Sequence, residues 1–383
     1  MSRADRRGAA DWWWTVDRTA LVAMLALIAI GLMLAFAASP AATGGPMTEG
    51  DFRYAAKQIA FAGLAVVILG ATSVLPFRTI KLSAALIYAA AIAGCMVALF
   101  AGNEVLGARR WIDFGWVTLQ PSEFLKPSFA VLAAAALADN EKMILPKEVV
   151  AFILATPALL ILVLQPDVGQ TGLLLALWGA LLFFNGVSLA AVGILAGSSA
   201  GLGFLAYLLF PHVHHRINQF FDPQSAGYQT ELALKAFAHG GFAGVGPGAG
   251  TVKYHLPDAH SDFIFAVAGE EFGIALCGII VLLFCVLCIR LLLRSARMAD
   301  AFSGLAGAAL AIAIALQSFI NMGVAVSLLP TKGMTLPFIS YGGSSLFAVA
   351  LTMGFALAVT RQRSKIGERD VELFAFLREA RAA

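Results

Sequence analysis

Charge is what this sequence has least of. Only 13% of its 383 residues are Asp, Glu, Lys or Arg, against 60% hydrophobic residues and a mean hydropathy of +0.84. Soluble domains carry about a quarter of their residues as charges, so a water-soluble globular fold is excluded. The net charge of +3 gives no reason to expect a nucleic-acid partner. Cysteine is almost as scarce. Cys95, Cys277, Cys285 and Cys288 all fall inside apolar stretches, at spacings that match neither a zinc site nor a disulfide framework. The glycine run that starts at Gly244 is neither a P-loop nor a dinucleotide fingerprint, since no strand precedes it and no GK[ST] follows. No organic cofactor is therefore expected.

What the sequence has in abundance is long apolar runs. A spanning helix needs about 20 such residues, and ten segments qualify: Thr19–Ala38, Gln58–Val74, Leu82–Ala101, Glu123–Ala138, Val149–Leu164, Val168–Phe184, Val187–Phe210, Phe263–Ile289, Ala301–Leu329 and Pro337–Thr360. The expected fold is an all-α polytopic membrane protein. It comprises an N-terminal segment 1–18, a ten-helix membrane domain 19–360 with a long loop 211–262 between helices 7 and 8, and a tail 361–383. "AFAASPAA" at the end of the first run imitates a signal-peptidase site, but the run is longer than a signal core, so it reads as a retained helix. Most of the 26 basic residues fall at the termini and in the loops on their side, among them Arg3, Arg6, Arg7, Arg290, Arg294, Arg297, Arg361 and Arg363. By the positive-inside rule both termini are expected in the cytoplasm.

That orientation puts the polar content of one face outside. The loop 211–262 holds all six histidines, with Arg216, Lys235 and Lys253 and the run "GGFAGVGPGAG". Its "HVHH" lacks partner carboxylates at metal-ligand spacing, and its glycines suit turns better than close approach to a substrate. "YQTELALKAFAH" has the spacing of a short helix lying in the membrane interface. Before the fourth segment Arg109, Arg110, Trp111, Gln120, Glu123 and Lys126 crowd together. Glu123 and Lys126 stand three apart and could form a local ion pair. Shorter outward turns, "QPDVGQ" and "LLPTKGMTLPFISYGGSS", lie at the same level. Isolated intramembrane charges are costly and usually functional, so the four polar positions suggest one shared site.

"GARRWI", "LQPSEFLK", "QPDVG", "LPDAHSDFIFAVAGEEFG" and "LLPTKGMTLPFISYGGSS", in this order along ten spans, resemble the SEDS family (shape, elongation, division and sporulation) of polytopic peptidoglycan glycosyltransferases. The likeness runs from about residue 15 to about residue 362. "DWWWTVDR" ahead of the first span is closer to the division branch than to the elongation branch. The resemblance implies polymerisation of lipid II on the outer face of the bacterial cytoplasmic (inner) membrane, at the division septum, with undecaprenyl pyrophosphate leaving. It also implies contact with undecaprenyl-linked glycan, membrane lipid, a class B penicillin-binding transpeptidase and other divisome proteins. Asp262 takes the place of the family's catalytic aspartate.

The chemistry of these residues is compatible with that assignment. Sugar transfer needs a base for the acceptor hydroxyl, and a carboxylate near the interface can serve; the alternative for Asp262 is a helix N-cap. A departing pyrophosphate needs positive charge. Arg110, Lys126 and Lys332 are the candidates, with Arg216 and Lys253 in reserve and a divalent cation, Mg or Mn, as an optional helper. Trp111 offers a sugar-stacking face or a membrane anchor. On a straight helix Glu270 would lie about 12 Å beyond Asp262, too far for a dyad, so Glu270 and Glu271 are expected to support the site, one of them pairing with a cation such as Lys126. A lipid flippase, an elongation-type polymerase and a division scaffold are the competing readings.

Overall fold

The computed structural model describes residues 9–43, 52–105, 108–115, 117–138, 145–165, 167–211, 214, 218, 227–330 and 333–361. Among them the helices are α1 (Ala9–Thr15), α2 (Arg18–Thr43), α3 (Arg53–Ser73), α4 (Phe77–Ala101), α5 (Ser122–Ala138), α6 (Lys147–Leu164), α7 (Val168–Phe184), α8 (Leu189–Leu209), α9 (Tyr228–Gly240), α10 (Ile264–Ser295), α11 (Ala301–Ala325) and α12 (Gly343–Val359). Each of the ten predicted apolar segments overlaps one of them, several with shifted ends. Six, namely α2, α3, α4, α6, α10 and α11, are long and apolar enough to cross a bilayer, and α7 and α12 are shorter apolar helices.

The helices are sorted inside out relative to a soluble bundle. On α4 the buried stripe is Ile80, Ala84, Tyr88, Ala91, Cys95 and Ala98, while Leu82, Leu86, Val97 and Phe100 face outward. Small residues let backbones approach, and large apolar ones meet lipid at no cost; the same outer surface in water would be an aggregation face. α5 and α12 are buried almost all round and form the centre, with α12 packed on α3 and α5 between α4 and α11.

Two features depart from an all-α chain of straight helices. A small antiparallel sheet, β1 (Asn103–Val105), β2 (Ala108–Asp113) and β3 (Thr118–Leu119), follows α4, with Asn103 opposite Trp111 and Ile112 opposite Leu119. Its strands are too short for a sequence pattern to reveal. The second is a break in α10 at Gly273, where φ is +76° and ψ 179°. A helix broken inside a membrane protein must find new partners for the freed backbone groups. The glycine run supplies them. Val245 N donates to Glu270 O (3.0 Å) and Gly246 N to Glu271 O (3.0 Å), while Ile274 N donates to Gly241 O (3.0 Å) and Ala275 N to Phe242 O (3.2 Å). A Cβ on Gly244 would lie 2.2 Å from Glu271 O, and one on Gly273 2.2 Å from Phe242 O. The run is thus a backbone partner for a split helix. Helix α9 forms where predicted, but turns its Ala233, Ala236 and Gly240 face onto α10, with Phe237 edge-on to Phe265 at 5.8 Å.

Candidate active site

The site is assembled by three loops at one end of the bundle. The turn 258–263 begins with Asp258 at φ +53° and closes through Phe263 N to Asp258 O at 3.2 Å. Its next carbonyls are each held by a different donor: His260 O by Tyr341 N (2.9 Å), Ser261 O by Ser340 Oγ (2.5 Å) and Asp262 O by Asn321 Nδ2 (2.9 Å). The receiving loop, 333–342, is itself fixed. Ser340 Oγ accepts from Leu336 N at 2.7 Å, Gln58 Nε2 donates to Ser340 O at 3.2 Å, and Phe338 is buried at φ +65°. Asp262 ends up partly exposed, with Oδ2 facing Gly333. The N-cap position of α10 is Phe263, which makes no side-chain capping bond.

Beside this turn, Tyr54, His260 and Tyr341 pack ring on ring at 4.9 to 5.5 Å. Burial holds the His260 imidazole below its ordinary pKa, against the opposing pull of Asp258, and raises the Tyr341 phenol.

A buried polar chain runs from the 333–342 loop to the sheet. Gln317 Nε2 donates to Thr335 O (3.1 Å) and its Oε1 accepts from Lys126 Nζ (2.8 Å); Lys126 pairs with Glu123 at 2.6 Å, as the i,i+3 spacing allows. Gln170 Nε2 then donates to Glu123 Oε1 (2.5 Å), and Gln170 N to Asp167 Oδ1 (3.2 Å), the N-cap of α7. Arg110 ends the chain, its Nε 3.1 Å from Gln165 O and 3.8 Å from Asp167 Oδ2. Burial raises the Asp167 pKa and outweighs the lowering by Arg110.

Several predicted site residues change role. Lys126 is buried with its ammonium engaged by Glu123 and Gln317, so its place is within the scaffold. Glu270 and Glu271 do not meet Lys126. Glu271 pairs with Lys253, whose Nζ also donates to Ala37 O at 2.7 Å; Lys253 is 1% exposed, which removes it from the reserve of substrate-facing cations. Glu270 accepts from Thr251 N, Val252 N and Lys253 N at 2.8 to 2.9 Å, and from His239 Nδ1 at 2.9 Å. Arg110 and Trp111 are partly exposed on β2, and Gln120 is buried where its carbonyl receives Glu123 N at 3.2 Å. Arg216 and Lys332 lie outside the described residues, as does most of "HVHH". Among the described residues no three His, Cys, Asp or Glu side chains gather to hold a metal, so a divalent cation finds no ready-made cage here. Sequence reasoning passed over Gln58, Gln170, Gln317 and Asn321, although a polar side chain inside an apolar helix is itself the signal.

The fold and site together define a polytopic membrane protein with a partly exposed carboxylate, at one end of its bundle, beside a buried ion-pair chain. Its residues 18–365 match the model of the cell cycle protein family of FtsW, RodA and SpoVE, and the chain belongs to that family. It is 41% identical over 366 residues to the probable peptidoglycan glycosyltransferase FtsW of Caulobacter vibrioides, covering 95% of this chain and 94% of that protein. The Nitrosomonas europaea protein of the same name is 35% identical, over 88% and 90% of the two chains. In structure the chain resembles a component of a peptidoglycan synthase complex that coordinates polymerization and crosslinking, with TM-score 0.74, 25% identity, and 90% and 97% of the two chains covered. The rod shape determining protein RodA of Thermus thermophilus shares the fold, with TM-score 0.68, 24% identity, and 92% and 99% covered.

Proposed function

We propose that this chain is a peptidoglycan glycosyltransferase of the division branch, polymerising lipid II at the outer face of the inner membrane. It crosses that membrane ten times with both termini in the cytoplasm, and works at the septum beside a class B penicillin-binding transpeptidase. The observation that carries the reading is the clamped turn 260–262. Three donors immobilise its main chain and leave the Asp262 carboxylate partly exposed. Asp262 takes the proton of the acceptor sugar hydroxyl as that oxygen attacks the anomeric carbon. The bond from that carbon to the pyrophosphate oxygen breaks, and its electron pair leaves on undecaprenyl pyrophosphate. Arg110, partly exposed and held by Gln165 O and Asp167 at the end of the ion-pair chain, supplies positive charge to the departing pyrophosphate, with Lys332 as a second cation.

Purified protein incubated with lipid II tests the reading. Asp262→Asn keeps the shape of the side chain and removes the base, and loss of a general base costs about 10² to 10⁴ in rate. The expected result is a folded protein that makes little or no glycan polymer. Near-normal polymerisation would sink the assignment and favour a lipid-transport role for the same polar groups.

A further inference from the structure

Asn321 sits on α11 one turn after Gln317, on the same helix face, and is 2% exposed. Its single Nδ2 group makes two hydrogen bonds, one to Asp262 O at 2.9 Å and one to Met334 O at 2.6 Å. Turning the amide round would set its oxygen against two carbonyl oxygens, so the orientation is fixed by its partners. The Oδ1 atom is buried and has no hydrogen-bond partner among the described residues. The unpaired oxygen costs the fold some stability, whereas an apolar residue at this position would leave the carbonyls of Asp262 and Met334 without their shared donor. What asparagine provides is a tie that holds the turn carrying Asp262 against the carbonyl of Met334, both anchored to one helix.

We propose that Asn321 is a positioning residue for glycosyl transfer: its carboxamide fixes the Asp262 main chain against Met334, and thereby the stance of the Asp262 carboxylate toward the acceptor hydroxyl. The inference rests on Asp262 being the base. Gln317 repeats the device one turn earlier, joining Lys126 to Thr335. A displacement of about 1 Å can cost about 10² in rate, while the contacts that bind the lipid are untouched.

The test uses the full chain with lipid II, following kcat and KM separately. Asn321→Ala is expected to lower kcat by about ten- to a hundredfold and to leave KM within about twofold. Asn321→Ser, which keeps one donor, should recover part of the loss. In an Asp262→Asn background, adding Asn321→Ala should change the residual rate no further, because the residue acts only through Asp262. A structural role would instead multiply the two losses, and that result overturns the inference. A normal kcat in Asn321→Ala beside an inactive Asp262→Asn also overturns it, while leaving the base assignment standing. An active Asp262→Asn removes the base assignment and the inference together. Should Asn321→Ala fail to fold, Asn321→Ser is judged by the same kcat loss and the same double-variant comparison.

Discussion

Asp262 and the pair Glu270–Glu271 are eight or nine residues apart in one motif, yet the structure treats them in opposite ways. Glu270 and Glu271 are at most 1% exposed, and their oxygens are taken up by a lysine, a histidine and four backbone N–H groups. Asp262 is partly exposed, and what is held tightly there is its main chain. A carboxylate saturated by fixed donors is a structural tie. One whose main chain is clamped while its side chain stays partly exposed is the one we propose for the chemistry. Burial, more than position in the motif, separates the two.

The largest expected effect sharpens that contrast. Asp262→Asn should lose about 10² to 10⁴ in polymerisation rate with an unchanged melting temperature. The mirror experiment is Lys253→Met, which leaves Glu271 buried without its cation. Removing one partner of a buried ion pair costs about 3 to 5 kcal/mol, so thermal or denaturant unfolding in detergent should show a strongly destabilised protein. Whatever fraction stays folded should polymerise at near the normal rate per molecule. A stable Lys253→Met protein that is inactive would break the comparison by giving that lysine a chemical role.

A smaller loss is expected at the glycine run. Gly244 has φ +82°, and a Cβ there would stand 2.2 Å from Glu271 O. Gly244→Ala should destabilise by about 1 to 3 kcal/mol through strain and overpacking, measured as a fall in melting temperature. Gly246→Ala is the control. Its φ is also positive, at +110°, but the nearest atom to its Cβ would be 4.0 Å away, so its loss should be smaller. Equal losses at the two positions would mean that the close approach to Glu271 contributes nothing.

The sequence was most readable where lipid is the solvent. All ten apolar runs overlap helices, six of them long and apolar enough to cross a bilayer, as expected where a chain in hydrocarbon must satisfy its backbone within the segment. The clustering of Arg110, Glu123 and the 328–345 loop also followed from counting polar groups at one level. The partner of Glu271 was not legible, because it depends on Gly273 breaking α10 and on the glycine run folding back to bond the freed groups; "GEEFG" reads as uninterrupted helix. The sheet that carries Arg110 was too short to signal itself. Asn321 and Gln317 escaped notice because an uncharged amide in "LQSFINMG" scarcely interrupts an apolar pattern, though its cost of burial marks it as firmly as a charge would.

The smallest effect asks whether the Asp262 turn differs from the saturated pair in its response to acid. His260 packs against Tyr54 and Tyr341, and burial lowers its pKa below the ordinary 6.5. The unfolded chain then binds a proton more readily than the folded one, so between the two pKa values stability rises with pH. The contribution is complete above about pH 6.5 and is lost as pH falls through the folded value. Acidification from pH 7.5 to 5.5 should therefore lower the melting temperature by no more than about 4 °C. His260→Gln, which fills similar space without a titrating ring, should flatten that dependence. Asp258 pulls the imidazole the other way, so Asp258→Asn should lower the His260 pKa further and steepen the acid loss. An acid dependence that survives His260→Gln unchanged would move the sensitivity away from the turn.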